Sequence, residues 1–416
     1  MFRILLRAAL CVALASVPAF AATAAVGTCL PQYTSFATIT AAINSVPASS
    51  TIFVCPGSYP EQITINKRLT LKGANNGATG AAIITAPADG IVANSTSLVD
   101  SSPIAAQILI DGSTLANISF ITVDGSNNNI NGCGPNLVGV YYRNSSGTIT
   151  KTSELNQALT PTNLNGCQSG LGIFVESGGG HSTVTISGNY VHNYQKNGIT
   201  GNEAGTTVTI SGNTVIGQGS TTGAAENSIQ IGFGAAGAIT TNIVGDDIWA
   251  PDTVTDPGNA AAGILVYGSP NINVSSNTVN STQFGIAISS DSFDGLPGDN
   301  ATVKLNKIST SQIFDGIDLC SNYNSATSNV VTGSDEAGIH LDDTCTGTST
   351  GNSVSANTIN TACTGILLGP GTPGNSIGTN TIINTLNLMI TGTNSCTPPG
   401  LAALHRMHAH PRGFRP

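Results

Sequence analysis

Residues 315–380 read DGIDL (315–319) with SNVV (328–331), AGIHL (337–341) with ANTI (356–359), and TGILL (364–368) with TNTI (379–382). Each copy is a Gly-hydrophobic strand, a polar stretch, and a turn asparagine followed by a second short strand. Self-similarity at a short fixed period indicates a solenoid, in which each repeat packs only on its neighbours. This stretch therefore predicts an all-β coil repeated along one axis.

The pattern extends through most of the chain in two registers. Its Gly-hydrophobic pairs begin at residues 139, 172, 198, 228 (here Ser-Ile), 263, 285, 316, 338 and 365. Its turn asparagines are Asn189, Asn213, Asn242, Asn277, Asn306, Asn329, Asn357 and Asn380. Asparagine tolerates left-handed turns, and stacked amides hydrogen-bond along an axis. We therefore expect about ten coils joined by a structural asparagine ladder.

Composition limits the function classes. The chain has 416 residues, of which only 8% are charged and 5% aromatic, with 49 glycines. Five of its 13 basic residues lie in 1–25 and 399–416, and none of its 22 acidic residues does. The remaining body is strongly acidic, which disfavours nucleic acid as a partner because phosphate binding needs clustered Lys and Arg. No later apolar run approaches the roughly 20 residues of a membrane span.

The two ends differ from the body. Residues 1–25 have a basic start, an apolar stretch and the small-x-small site Ala19-Phe20-Ala21, with 22–24 as an alternative, which predicts a signal peptide. We assign 26–398 to the solenoid and expect the His- and Arg-rich tail 399–416 to be disordered. The predicted location is secreted or periplasmic, without a membrane span after signal cleavage, and we expect a monomer.

The first coil carries a family resemblance. Ser35–Val46 has helical spacing with Ser35 as the expected N-cap, and the string TIFVCPGSYPEQITINKRLTLKG follows at 51–73. This arrangement resembles the entry coil of pectin-lyase-like proteins, in which a capping helix precedes such a string. The resemblance implies a right-handed parallel β-helix with an N-terminal capping helix.

Eight cysteines remain beyond the leader, an even number that predicts disulfides in an exported chain. Cys133 and Cys167 occupy nearly the same position in neighbouring coils, so we expect them to pair. Cys29–Cys55 would attach the capping helix to the first coil. Two further pairs, Cys320–Cys345 and Cys363–Cys396, follow by elimination.

Strand alternation defines two outward columns of side chains. In Gly-Ile-x-Leu the two apolar residues face the core, so the residue between them is expected to face solvent. The first column is Tyr141, Phe174, Thr200, Gln230, Leu265, Ala287, Asp318, His340 and Leu367. The second, two residues further on, is Arg143, Glu176, Asn202, Gly232, Tyr267, Ser289, Cys320, Asp342 and Gly369. Neighbouring strands lie about 4.8 Å apart, so acidic groups should crowd together here.

The candidate catalytic residues are Asp315, Asp318, Asp335, Glu336, His340, Asp342 and Asp343. Paired carboxylates suit glycoside hydrolysis, one as acid and one as base or nucleophile. Asp315-Gly316-Ile317-Asp318 followed by Asp335-Glu336 resembles the Asn-Thr-Asp-Gly and Asp-Asp segments of polygalacturonases. That resemblance implies that Asp315, Asp335 and Glu336 act on the glycosidic bond, although Glu336 stands where the family has Asp and the downstream Gly-His-Gly and Arg-Ile-Lys motifs are absent.

Other roles for these residues stay open. Carboxylate oxygens bind Ca²⁺, so a calcium site at Asp318, Asp342 and Asp343 is one alternative, and no cofactor is certain. A lyase needs a basic residue, and Arg143 and Lys196 lie on other coils. Hydrolysis is thus favoured over elimination if the protein is an enzyme.

Aromatic residues add candidate sugar-binding positions. They are Tyr141, Phe174, Tyr267 and Trp249, the last in a segment with a second acidic group, Asp246, Asp247, Asp252 and Asp256. An aromatic ring suits sugar stacking, while a loop aromatic packed against the coil is the structural alternative for Trp249.

These observations predict an exported β-helix protein with a surface that binds or cleaves a polysaccharide or cell-surface glycan. The alternatives are a non-catalytic structural or adhesive protein, and a periplasmic accessory role like that of β-helix proteins that help to mature copper enzymes. Superfolds host many functions, so the fold alone does not choose among them.

Overall fold

A computed structural model describes residues 20–74, 80–112, 115–159, 166–249, 260–311, 314–360 and 362–392. Within these ranges the protein contains one helix and three long sheets whose main strand order is parallel throughout. The chain visits sheet A, sheet B and sheet C in turn and then repeats. This is the predicted right-handed parallel β-helix.

Sheet A runs along one side of the solenoid. Its 14 strands, in spatial order, are Thr34–Phe36, Thr23–Val26, Ser50–Val54, Leu69–Gly73, Ala116–Ser119, Gly147–Thr150, Ser182–Ser187, Thr206–Ser211, Ala236–Thr240, Asn273–Ser275, Thr302–Lys304, Ser325–Thr327, Ser353–Ser355 and Ser376–Ile377.

Sheet B has 12 strands in the described ranges: Gly57–Pro60, Ala82–Thr85, Ile121–Asp124, Ser153–Leu155, Tyr190–His192, Thr214–Thr221, Ile243–Trp249, Thr278–Thr282, Lys307–Ser311, Val330–Thr332, Thr358–Asn360 and Thr381–Ile383. The twelve strands correspond to twelve coils, whereas the sequence predicted about ten. The prediction was too low because the coils before residue 139 lack the Gly-hydrophobic pair from which the coils were counted.

Sheet C carries the candidate site. Its parallel strands are Ile63–Ile65, Pro103–Asp111, Asn136–Arg143, Leu171–Glu176, Asn197–Asn202, Asn227–Gly232, Ala262–Tyr267, Phe284–Ser289, Ile317–Cys320, Ala337–Leu341, Thr364–Leu368 and Asn387–Thr391. The short strand Ser95–Thr96 adds to it antiparallel to Ile104 and Pro103. One continuous apolar core, rich in Ile, Val and Leu, fills the space between the three sheets.

The glycine of each Gly-Ile pair is required by packing at the corner from sheet B to sheet C. A Cβ atom at Gly316 would lie 2.2 Å from Val331 Cγ1, and one at Gly338 would lie 2.3 Å from Ile359 Cγ2. The same conflict with an apolar side chain of sheet B recurs at Gly198, Gly263, Gly285 and Gly365. The repeat therefore keeps glycine because the core has no room for a side chain there.

The predicted asparagine ladder is present over all eight positions. Each side-chain amide donates to Oδ1 of the next asparagine at 2.9–3.0 Å, from Asn189 through to Asn380. The backbone N–H of each rung donates to the same oxygen. Thr152 continues the ladder below Asn189. These buried side-chain amides thus provide hydrogen-bond partners for the backbone groups of the turns along the axis.

The capping helix is shorter than predicted. It spans Ile39–Ser45 with Thr38 as N-cap, whose side chain accepts from the N–H of Ala41 at 3.1 Å. The predicted start at Ser35 is wrong because Thr34–Phe36 pairs with Thr23–Val26 as a strand. Glu61 of the entry string accepts from the N–H groups of Ile39 and Thr40 at 2.8 and 2.9 Å. The first coil thus holds the helix by its N-terminus.

Three predicted disulfides are confirmed: Cys29–Cys55, Cys133–Cys167 and Cys320–Cys345. Of the fourth predicted pair, Cys363 is described and Cys396 lies outside the described residues.

The two termini bear on the predicted domain limits. Residues 1–19 and the tail 399–416 lie outside the described residues. Thr23–Val26 pairs with Ser50–Val54, and Ala24 and Ala25 are buried. Cleavage after Ala21 would leave this strand intact, whereas cleavage after Ala24 would remove half of it. No helix in the described ranges has the length and hydrophobicity to cross a membrane.

Candidate functional site

The first predicted column is present in full on sheet C. Tyr141 pairs with Phe174, Phe174 with Thr200, and the register continues to His340 beside Leu367. The second column is also in register, from Arg143 beside Glu176 to Ser289 beside Cys320. Sequence spacing alone therefore placed these side chains correctly along the axis.

The predicted exposure of the first column is wrong. Asp318 is 2% exposed, His340 6% and Tyr141 0%. Alternation does turn these side chains away from the core, but neighbouring side chains and segments cover the outer face of sheet C. A strand of a solenoid is buried on both faces wherever a loop packs over its outer face. The alternation of residues along the strand does not predict the position of such a loop.

Asp315, Asp318 and His340 form the centre of the site. Their carboxylate oxygens and imidazole nitrogens offer one ligand atom each, and all lie within 4.8 Å of one another. His340 Nδ1 is 3.0 Å from Asp315 Oδ2, and the Ala337 N–H donates to Asp315 Oδ1 at 3.1 Å. We call these three residues the Asp-His cluster.

Electrostatics favours a protonated histidine in this cluster. Burial alone would lower the pKa of His340, but the carboxylates of Asp315, Asp342 and Asp318 raise it well above its usual value. An imidazolium ion that is held by a carboxylate cannot accept a further proton. With no cation bound, the cluster is therefore favoured as a buried ion pair of His340 with Asp315.

Asp342 is bound by its own turn, and Asp343 is bound by the backbone of the next coil. Asp342 accepts from the Thr344 N–H at 2.9 Å and from its hydroxyl at 2.7 Å. Asp343 Oδ2 accepts from the Gly371 N–H at 2.5 Å. Asp342 also lies close to Cys320 and Cys345, but those sulfurs form a disulfide and offer no thiolate ligand. The predicted calcium set of Asp318, Asp342 and Asp343 stays a proposal.

The predicted hydrolytic trio differs in accessibility. Asp335 is exposed, with a pKa that partial desolvation raises. Asp315 is fully buried and Glu336 is 1% exposed. An acid and a base of a glycosidase must both reach one sugar bond. The catalytic role of this trio stays a prediction that its burial does not favour.

The aromatic candidates on sheet C are covered. Tyr141 and Phe174 stack with ring centroids 5.1 Å apart and an interplanar angle of 7°. Glu176 accepts from the Tyr141 hydroxyl, from Ser97 Oγ and from the Leu98 N–H. The segment around Ser97 is thus fastened over the aromatic pair, and burial raises the pKa of Glu176. Both rings are fully buried, so their predicted role in sugar binding stays a prediction that their burial does not favour.

Trp249 and Tyr267 are also buried, at 5% exposure each. Trp249 ends a strand of sheet B and packs with Ala225 and Ala261, which favours the structural alternative, although the residue lies in a strand and not in a loop. Tyr267 donates to Asp291 at 2.9 Å. Of the second acidic group, Asp246 and Asp247 belong to the same strand as Trp249, and Asp252 and Asp256 lie outside the described residues.

A buried polar group in the corner from sheet B to sheet C was not predicted. Asp247 accepts from the Tyr194 hydroxyl at 2.6 Å and from Ser228 Oγ at 2.5 Å. Burial and the nearby Asp247 raise the pKa of Glu226, and burial lowers the pKa of Lys196 to about 8. We call these five residues the corner network. Their spacing in sequence is irregular, so no local signal joins them.

An open groove lies where sheet C turns into sheet A, at the ends of the strands that carry the Asp-His cluster. Its volume is about 460 Å³. The loop 290–299 forms one wall, and the opposite side contains Asn322, Thr346 and Thr348. Phe293 and Tyr323 directly follow the lining residues Ser292 and Asn322 in the chain, and their side chains are 63% and 62% exposed. Sequence reasoning missed both rings because they lie outside the repeated strands.

The fold and these features define a right-handed parallel β-helix protein with a polar groove and a buried Asp-His cluster. Residues 220–397 match the family model described as "Periplasmic copper-binding protein (NosD)", a match that covers less than half of the 416 residues. The periplasmic description agrees with the predicted export. Among curated proteins, none matches the chain significantly by sequence.

Several solved structures share the fold of this chain. The GH136 lacto-N-biosidase from Eubacterium ramulus aligns with a TM-score of 0.54 and 11% identity, over 87% of this chain and 67% of that one. The Dettilon tailspike protein gp208 aligns with a TM-score of 0.54 and 15% identity, over 80% of this chain and 62% of that one. The chain thus spans about two thirds of the length of each. At this identity the likeness shows the β-helix fold.

Proposed function

We propose that this protein is an exported β-helix that binds glycans in the groove at the corner from sheet C to sheet A. The observation that carries the proposal is the groove itself, which is open, about 460 Å³ in volume and lined by hydroxyl, amide and carboxylate groups. Such groups exchange hydrogen bonds with sugar hydroxyls. The description of one structural neighbour as a lacto-N-biosidase supports a glycan as the ligand class.

Binding without cleavage is the form of the proposal that the geometry favours. Asp315 is committed to His340 and to the Ala337 N–H, and both Asp315 and Glu336 are inaccessible. The groove residues Asp291 and Asp299 hold backbone N–H groups of the surrounding turns. These carboxylates shape the groove, which is a different task from protonating a glycosidic oxygen.

A panel of immobilised plant and bacterial polysaccharides tests the function. We expect the wild-type protein to be retained on at least one of them and to release no reducing sugar from any. Reducing-sugar release that is lost in Asp315→Asn or Asp335→Asn would establish a hydrolase instead. If no polysaccharide retains the protein, the glycan proposal is wrong and the structural or adhesive role takes its place.

Cation binding by the Asp-His cluster is a second candidate function. The segment that matches the copper-binding family model contains all three residues of the cluster. One imidazole nitrogen and two carboxylate oxygens suit Cu²⁺ or another divalent transition ion, which would displace the proton from His340 on binding. They fit Ca²⁺ less well, because Ca²⁺ takes six to eight oxygen ligands.

Titration calorimetry with CuSO₄ and with CaCl₂ tests this candidate. Binding that is present in the wild-type protein and in His181→Gln, but absent in His340→Gln, supports a site at the cluster; His181 is the exposed control. Equal binding by His340→Gln and the wild-type protein would show that the ion binds outside the cluster. Absence of binding would show that the cluster is an ion pair without a metal-binding role.

A further inference from the structure

We infer that Tyr323 and Phe293, which adjoin the groove-lining residues Asn322 and Ser292 in the chain, are sugar-stacking residues at the rim of the groove, and that the ligand is an uncharged oligosaccharide. This inference rests on the proposed glycan binding and goes further by naming the anchoring residues and the charge class of the sugar. It is carried by four observations, which concern the two rings, the rigidity of the groove and its charge.

Tyr323 is a large ring held out on the surface by the next coil. It is 62% exposed, and its backbone has φ of 58°, in the left-handed region that a bulky residue rarely occupies. Its ring lies against Gly351, where an added Cβ atom would come within 2.5 Å of Cδ1. The Tyr323 N–H donates to the Thr350 carbonyl at 2.9 Å. The same left-handed turn recurs at Asn271 and Asn300 of the preceding coils, so the regular geometry of the coil fixes the Tyr323 backbone while its ring stays exposed.

Phe293 occupies the loop that forms the other wall. It is 63% exposed, and its N–H donates to Asp291 Oδ1 at 2.9 Å. Asp291 and Leu296 exchange backbone hydrogen bonds of 2.8 and 3.0 Å, which close the loop. The Tyr267 hydroxyl fastens Asp291 from the strand below. The loop therefore presents Phe293 without needing to order on binding.

The rest of the groove is equally fixed. Asp299 Oδ1 accepts from the Asn322 N–H at 2.9 Å, and Asn322 Oδ1 accepts from the Thr350 N–H at 2.9 Å. Ser290 Oγ accepts from the Gly298 N–H at 3.1 Å. These bonds join the loop to the two coils above it. A preformed site loses little entropy when a ligand binds, which suits a weakly interacting ligand such as a sugar.

The charge of the groove selects among glycans. Residues 290–300 read SDSFDGLPGDN, with three aspartates and no Lys or Arg. Thr346 and Thr348 on the opposite side are neutral. A polyuronate or a sulfated chain would bring like charges together here, which costs binding free energy. Hydroxyl-rich neutral sugars meet acceptors and aromatic rings without that repulsion.

Single exposed aromatics are common on protein surfaces, so a matched control is needed. Tyr190 supplies it, because it is 43% exposed on sheet B and stacks on His192, away from the groove. Tyr323→Asn is preferable to Tyr323→Ala, since asparagine tolerates positive φ and the turn should keep its shape. Circular dichroism and the thermal midpoint then show whether each variant is folded.

The experiment measures dissociation constants of the full-length protein for cello-, manno-, xylo- and maltohexaose and for hexagalacturonate. We expect a neutral hexasaccharide to bind, Tyr323→Asn and Phe293→Ala each to weaken it about tenfold, and Tyr190→Ala to leave it unchanged. Hexagalacturonate should not bind. Wild-type affinity in the Tyr323→Asn/Phe293→Ala double variant, or equal affinity for hexagalacturonate, would overturn this inference while glycan binding stands. Absence of binding to every hexasaccharide and to the polysaccharide panel would instead overturn the proposed function.

Discussion

Asn242 shows at the level of one residue what holds the coils in register. Its side chain donates to the Ile210 carbonyl at 3.1 Å and to Asn277 at 3.0 Å, and it accepts from the amide and the backbone N–H of Asn213. A change at one rung therefore affects the turns of three coils. Buried polar groups that lose their partners cost more than the bonds themselves were contributing.

Replacing Asn242 by Ala should lower the free energy of unfolding by about 2–4 kcal/mol, because several buried donors and acceptors lose their partners. Urea unfolding followed by circular dichroism measures the change. Asn273→Ala is the control, since its amide makes one local hydrogen bond, to Ser275. Equal stability of the two variants would show that the ladder is incidental.

Gly316 belongs to the repeated Gly-Ile pattern, and the structure shows the steric reason for glycine at this position. Gly316→Ala should destabilise the protein by about 1–3 kcal/mol, because the new methyl group would overlap Val331. Adding Val331→Ala should recover part of the loss, since that change removes the opposing Cγ1 atom. Gly132→Ala is the control, because its nearest non-neighbouring atom would be 4.0 Å away. Strict additivity of Gly316→Ala and Val331→Ala would contradict this explanation.

Among the elements, the capping helix depends on a residue of the coil that it covers. Glu61 accepts from Ile39 N–H, Thr40 N–H and the Thr40 hydroxyl at 2.7–2.9 Å. A carboxylate at a helix N-terminus satisfies free N–H groups and interacts favourably with the helix dipole.

Glu61→Gln should therefore lower the free energy of unfolding by about 1–2 kcal/mol. Amides of the first coil should then exchange faster than those of the other coils. Hydrogen exchange with mass spectrometry measures the effect over residues 39–54. Gln62→Glu, the reverse change at the next position, is a useful comparison. Protection in Glu61→Gln that matches the wild-type protein would mean that packing alone holds the helix.

The strand Ile243–Trp249 carries the corner network through Asp247. Burial raises the pKa of Asp247 well above its usual value, although Ser228 and Tyr194 donate to it; Asp246 and Glu226 are the acidic groups nearby. Because the folded pKa lies above the unfolded one, the stabilisation is complete below the unfolded pKa. It is lost as pH rises through the folded pKa.

Asp247→Asn keeps the uncharged shape of the protonated acid, so it should remove this pH dependence. We expect the wild-type protein to lose stability relative to Asp247→Asn between pH 5 and pH 8, by at most about 1.4 kcal/mol per pH unit. Urea unfolding at several pH values gives both curves. Asp246→Asn makes the same substitution at an exposed neighbour. Parallel curves for the wild-type protein and Asp247→Asn would show that Asp247 does not titrate in this range.

At the scale of the whole molecule, the sequence was informative where a feature repeats. Asn189 to Asn380, the Gly-Ile pairs and the outward columns recur in each coil, so their register could be predicted by counting. Cys133 and Cys167 paired as expected for the same reason. The helix start at Ser35 failed because strand pairing with Thr23–Val26 was not visible locally.

The site was harder to predict, because its accessibility depends on non-repeating segments. Tyr141 and Phe174 occupy outward positions, but Ser97 and Leu98 pack over them through Glu176, which lies 79 and 78 residues away. Asp315, Asp318 and His340 were correctly brought together, and only the structure shows that they are buried. Phe293 and Tyr323 lie between repeats and gave no periodic signal.

The most direct test of the central claim is a crystal structure of the wild-type protein with the neutral hexasaccharide that binds it best. We predict sugar density in the groove formed by loop 290–299 and Asn322, with one ring stacked on Tyr323 and another near Phe293. Density over sheet C at Tyr141 and Phe174, or no ordered sugar at saturating concentration, would contradict this account.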